Sequence, residues 1–188
     1  MSVLFRIASA FTLTLGAGCS FAATFVVNSY GEEGDFFPGD GVAEIEPGSA
    51  IVTLHSAIEE ANAFPGPDTI RFDLEPNEYC SRDSEDPDTI MIVYTRPLPP
   101  ITDLSGGLTI THTGYPLFIN GGSMDYSQAE TEHRAALVIQ SGSNTISRLN
   151  FRRFEHNFIV IEGEEATGNV IERIGFGSGC ELFPPRGS

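Results

Sequence analysis

The chain contains no lysine: its ten basic residues are all arginine, set against 26 acids for a formal charge of -16. Schiff-base chemistry and a phosphate-loop lysine are thereby excluded. So large an acid excess repels phosphate backbones and anionic lipid, which argues against nucleic acid as a partner. Cysteine is scarce, and Cys19, Cys80 and Cys180 lie too far apart for a zinc-ligand pattern. Aspartate stops at Asp125. The rest of the chain therefore lacks the grouped aspartates that many glycan-cleaving sites use.

What is present begins with a leader pattern. Met1 to about Ala22 carries one charge, Arg6, then an apolar run from Ile7 through Ala17 and a small-x-small site at Ser20-Phe21-Ala22. This reads as a cleaved secretory signal peptide, because the run falls short of the roughly 20 residues of a membrane span. Leu15-Gly16-Ala17-Gly18-Cys19 loosely resembles a lipoprotein box, so lipid anchoring at Cys19 is the alternative. Cleavage leaves one domain, one unit more negative, and predicts a secreted, extracellular or periplasmic protein with no membrane span. Cys80 and Cys180 remain. An oxidising compartment favours pairing them, while four stacked strand spacings would hold them about 19 Å apart, and both readings stand.

Leu54, Ala57, Ile58 and Ala61 recur at helical spacing, with His55, Ser56, Glu59, Glu60 and Asn62 opposite. Thr53 is the predicted N-cap, and Pro65-Gly66-Pro67 ends the helix. Upstream, Ser29 to Ala50 holds Glu32, Glu33, Asp35, Asp40, Glu44 and Glu46 among glycines and prolines, which predicts a solvated acidic loop. Its spacing fits no calcium-loop pattern, and no metal or cofactor is expected.

The stretch Val52 to Ala63 resembles the N-terminal motif of the CSLREA-domain right-handed parallel β-helix proteins, Cys-Ser/Thr-Leu-Arg-Glu-Ala-Ile-x-Glu-Ala-Asn-Ala. Thr53, Leu54, Ala57, Ile58, Glu60, Ala61, Asn62 and Ala63 match it. The likeness extends through Phe25 to Ser29, Pro38 to Gly41, Asp68 to Phe72 and Pro97 to Thr102. Val52 and Ala43 stand where the family has two cysteines, and their joint absence implies a disulfide lost as a unit. His55 and Ser56 replace the family's Arg-Glu. The resemblance implies that the helix caps the open end of a strand stack, an end that otherwise invites aggregation.

The remainder repeats. Thr69-Ile70, Thr89-Ile90 and Thr109-Ile110 fall at intervals of 20 in runs of strand alternation. Asn144 to Phe151 aligns with Asn169 to Phe176 at an interval of 25, and Leu137 and Ile139 with Ile159 and Ile161 at 22. Such periods predict an all-β solenoid, a right-handed parallel β-helix of the pectate-lyase-like kind. The boundaries are signal 1–22; strand, acidic loop and capping helix 23–67; coils 68–178; and a disordered tail 179–188. Asn144 and Asn169 are predicted at equivalent left-handed bends, bonded to stacked neighbours, and Phe151 and Phe176 as stacked core.

No catalytic constellation emerges. Glu155, Glu162 and Glu172 read as solvent-facing, and His55, His112, His133 and His156 as scattered surface residues without ligand spacing. Ser141-Gly142-Ser143 lacks a nucleophile-elbow context. The repeat stacks Arg148 on Arg173 with Arg152 and Arg153 close behind. That basic patch is expected to pair internally with Glu155, Glu162 and Glu172, or else to bind a carboxylated glycan. The expected role is structural or adhesive, with a cell-surface polysaccharide as partner; a polysaccharide lyase or hydrolase, or a fragment of a longer protein, is the alternative.

Overall fold

The computed structural model describes residues 21–77, 89–124 and 135–177. The signal segment through 20, Cys80, Cys180, His133 and the tail at 179–188 lie outside the described residues.

Among the described residues every strand pairing is parallel, and the strands form three sheets. Sheet one runs β1 (Thr24–Val27), β2 (Thr69–Phe72), β4 (Thr109–Thr111), β7 (Thr145–Ser147) and β10 (Val170–Glu172). Sheet two runs β3 (Ile90–Val93), β5 (Leu117–Asn120), β8 (Asn150–Arg152) and β11 (Gly175–Gly177). Sheet three pairs β6 (Ala135–Ile139) with β9 (Asn157–Ile161), and Ile101 joins it through a bridge to Ile139. From β2 onward the chain visits the sheets in turn and returns each time one strand further along.

The register explains the core. Phe25, Ile70, Ile110, Ile146 and Ile171 share one level of sheet one, and Ile92, Ile119, Phe151 and Phe176 one level of sheet two. Most of these are buried in a single apolar cluster with Leu108, Ile139 and Leu149. Burying a side chain of this size stabilises by about 1.5–3 kcal/mol. Phe151 and Phe176 stack with centroids 6.2 Å apart, although Phe176 is half exposed on its outer side.

The 25- and 22-residue alignments correspond to real neighbours, Ile146 with Ile171 and Leu137 with Ile159. The 20-residue interval does not. Thr69 pairs with Thr109, forty residues on, while Ile90 lies in sheet two opposite Leu117. The same Thr-Ile dipeptide opens strands on two different faces, and strand alternation alone cannot tell one face from another.

The corner before sheet one is held by side-chain amides. Leu108 N–H donates to Asn144 Oδ1 at 2.8 Å, Asn144 N–H to Asn169 Oδ1 at 2.9 Å, and Ala23 N–H to Asp68 Oδ1 at 2.8 Å. Stacking of these residues is therefore as read from the sequence. Their geometry is not: the left-handed residues are the ones just before them, Ser143 (φ 61°) and Gly168 (φ 69°). The asparagines themselves are not left-handed, and their side-chain oxygens accept backbone N–H groups of the neighbouring strand's corner.

Helix α1 (Leu54–Ala63) starts at Thr53, whose hydroxyl accepts Ser56 N–H at 3.0 Å while Ser56 Oγ accepts Thr53 N–H at 3.0 Å, a reciprocal cap. Leu54, Ala57, Ile58 and Ala61 enter the core as the spacing predicts. The opposite face is not solvated, however. His55, Ser56 and Glu60 are buried too: Ser29–Ala50 folds back over Ser56 and Glu60, while His55 lies against Pro97 and Tyr94. Thr53 Oγ1 donates to Glu33 O at 2.6 Å and Ser56 Oγ to Ala43 O at 3.2 Å. Asn28 clasps both Val52 N–H and Ala50 O. The acidic stretch is a strap packed on the helix.

Candidate functional site

Arg148 and Arg173 each form the first half of a two-residue bend from sheet one into sheet two, between β7 and β8 and between β10 and β11. Both hold left-handed backbone, φ 60° and 55°. That bend turns the following residue inward, so Leu149 is buried and Ile174 packs on the core, while both arginines stay exposed. Glycine takes this conformation freely, whereas other L-residues pay about 1–2 kcal/mol. Two stacked strained positions both carrying arginine is the kind of backbone outlier from which a role can be argued.

Neither arginine forms an ion pair among the described residues, so the expected internal pairing with Glu155, Glu162 and Glu172 does not hold for them. Their neighbour spacing is one strand separation, about 4.8 Å. Along the same end of sheet one, toward β1, lies a groove of about 370 Å³ lined by Val26, Arg71, Phe72, Asp73, Thr111 and Thr113. Ser147 Oγ donates to Thr111 Oγ1 at 2.9 Å and carries the polar row from the groove to the arginines.

The other basic residues of the expected patch are elsewhere. Arg152 is buried on sheet two with its guanidinium 5.9 Å from the centroid of Phe118, and Arg153 is exposed beyond the far end of β8. Several residues separate them from Arg148 along an extended strand, which splits the patch. The glutamates are not brought together either. Glu162 follows β9 in sheet three and accepts Gln140 Nε2–H at 2.9 Å, Glu172 ends β10 in sheet one, and Glu155 is exposed between β8 and β9. Ser141 is buried, and its carbonyl accepts the amides of Asn144 and Asn169.

Two histidines read as surface residues are buried. His55 Nε2–H donates to Pro97 O at 3.0 Å and its ring lies 5.2 Å from that of Tyr94; His112 Nε2–H donates to Tyr115 O at 2.7 Å. A carbonyl partner lets a neutral imidazole be buried, and nothing in the spacing reveals such a carbonyl. Desolvation lowers the His55 pKa to about 4 and lowers that of His112. His156 is exposed as expected.

The sequence reading missed a buried acid pair. Glu60 is fully buried, and its carboxylate accepts the N–H groups of Gly39 and Gly41. Asp35 turns its carboxyl group toward Glu60, with both oxygens sealed from solvent. Desolvation first, then Glu60, raises the Asp35 pKa to about 7, offset in part by the Phe36 and Phe37 amides. Asp68 is raised by desolvation as well.

Among the described residues no group of His, Cys, Asp and Glu could hold a metal ion, and no helix is long and apolar enough to cross a membrane. No protein-family model, curated protein or solved structure matches the chain.

Proposed function

We propose that this chain is a secreted or cell-surface module of the CSLREA-domain kind, a right-handed parallel β-helix with a helical cap. Its role is structural or adhesive: it holds an acidic glycan at Arg148 and Arg173 and has no catalytic centre. The three parallel sheets visited in turn, and the helix packed against β1 and β2 at one end, support the architecture. One observation carries the function. Two stacked, exposed arginines that form no ion pair among the described residues occupy strained positions on a molecule that otherwise carries a large excess of acid. A guanidinium offers paired donors to a carboxylate, and two of them one strand spacing apart suit a polymer bearing repeated carboxylates.

A glycan array probed with the mature protein at low and high salt tests this. Retention of uronate-bearing glycans that fades as salt rises is expected, since exposed charge contacts are screened. A preference for neutral glycans, or release of reducing ends or unsaturated products, would overturn it.

A further inference from the structure

Beyond the hydroxyl bonds of Thr53 and Ser56, the middle of the strap Ser29–Ala50 is fastened to helix α1 by acids. Glu60 accepts Gly39 and Gly41 N–H, Glu59 Oε2 accepts Asp35 N–H at 2.6 Å, and the Asp35 carboxyl group, both oxygens sealed from solvent, faces Glu60. Among the described residues no cation pairs with either acid. From the helix, Glu59 and Glu60 face it; the strap itself carries Glu32, Glu33, Asp40, Glu44 and Glu46. Beneath the helix, β1 and β2 contribute Phe25, Val27 and Ile70 to the core, and Asp68, just before β2, is a further acid within electrostatic reach of Glu60. Arg96 is engaged with the Glu32 carbonyl and carboxylate, and His55 is turned to Pro97.

A carboxyl group sealed from solvent beside a carboxylate ionises at a cost, and a proton kept on Asp35 relieves the repulsion. We propose that Ser29–Ala50 is a proton-controlled strap: closed over helix α1 while Asp35 keeps its proton beside Glu60, and released when that proton leaves to solvent. The step breaks one O–H bond and leaves two carboxylates. Their repulsion then drives Asp35 outward and withdraws the cover from the polar side of the helix, where Ser56 and Glu60 lie. Ionisation of Asp35 near neutral pH is what sets the switch point.

The test uses the intact mature protein. Carboxyl-carbon NMR follows the titration of Asp35, and amide exchange, corrected for its intrinsic pH dependence, follows Gly39 and Gly41. Asp35 is expected to titrate well above its usual range. Protection at the two glycines is expected to fall by up to tenfold per pH unit between the ordinary aspartate value of 3.8 and the raised midpoint of about 7, and to level off above it, as release of one proton requires. The Asp35→Asn variant, which cannot ionise, should keep its protection constant from about pH 5 to 9. Titration of Asp35 near its usual value, or wild-type protection that does not change, overturns the proposal. An Asp35→Asn profile that falls like the wild type overturns it also. Should that variant fail to fold, the two wild-type measurements decide alone.

Discussion

Asn144 donates its backbone N–H to Oδ1 of Asn169 at 2.9 Å, twenty-five residues along the chain and one strand further in the stack. The side-chain amide of Asn144 donates to the same oxygen at 2.9 Å. Asn169 thus closes a corner that the strand ladder leaves open. Replacing it by Ala strands a buried backbone donor and should cost about 1–3 kcal/mol in urea unfolding. The same change at Asn157, which is exposed, should fall within about 0.5 kcal/mol. Equal costs would remove Asn169 from this role.

Ile58 is fully buried where the helix meets the core. Ile58→Asp places an unpaired charge there and should destabilise by several kcal/mol or yield aggregates through exposed strand edges. Ile58→Val should cost about 0.5–1.5 kcal/mol. Glu59 is no neutral control, because its carboxylate holds Asp35 N–H. Stability close to wild type in the Asp variant would contradict the lid assignment.

Two buried groups act on stability with opposite sign. His55 is held neutral down to about pH 4, below its ordinary 6.5, so its contribution is lost as pH falls through that interval. Asp35 is held neutral up to about pH 7, above its ordinary 3.8, so its contribution is lost as pH rises. Relative to wild type, Asp35→Asn should gain melting temperature as pH climbs from 4 to 7, and His55→Gln should gain it as pH drops below 6.5. Differences that stay constant with pH would show that neither group is held neutral.

Val52 and Ala43 stand at the two cysteine positions of the motif they resemble, and both pack against the core beside the start of α1. Under the proposed family reading, Val52→Cys with Ala43→Cys should form a disulfide on exposure to air, with loss of free thiol and a higher melting temperature. Persistently free thiols would count against that reading.

The parts legible in the sequence are those fixed by local pattern. Thr53, Leu54 and Ile58 announce a capped helix with an apolar face, and the match of Asn144–Phe151 to Asn169–Phe176 announces stacked strands. What the pattern could not show depends on contacts distant along the chain. His55 reads as polar and outward until Pro97 supplies a carbonyl, and Glu60 until Gly39 and Gly41 supply amides. Thr89-Ile90 imitates Thr69-Ile70 yet belongs to another sheet, because strands of different sheets open on the same dipeptide. The stacking of Arg148 on Arg173 was readable, whereas the strain and the lack of ion pairs that give it meaning were not.

Binding of a polyuronate to the Arg148→Gly, Arg173→Gly double variant tests the account most directly. Glycine relieves left-handed strain of about 1–2 kcal/mol per site, less about 0.5–1 kcal/mol for its own freedom in the unfolded chain. The variant is therefore expected to unfold at the same or higher urea concentration than the wild type while losing its calorimetric titration with the polymer. A variant that binds as the wild type does, or one that is clearly destabilised, would show that the two arginines are kept for some other reason.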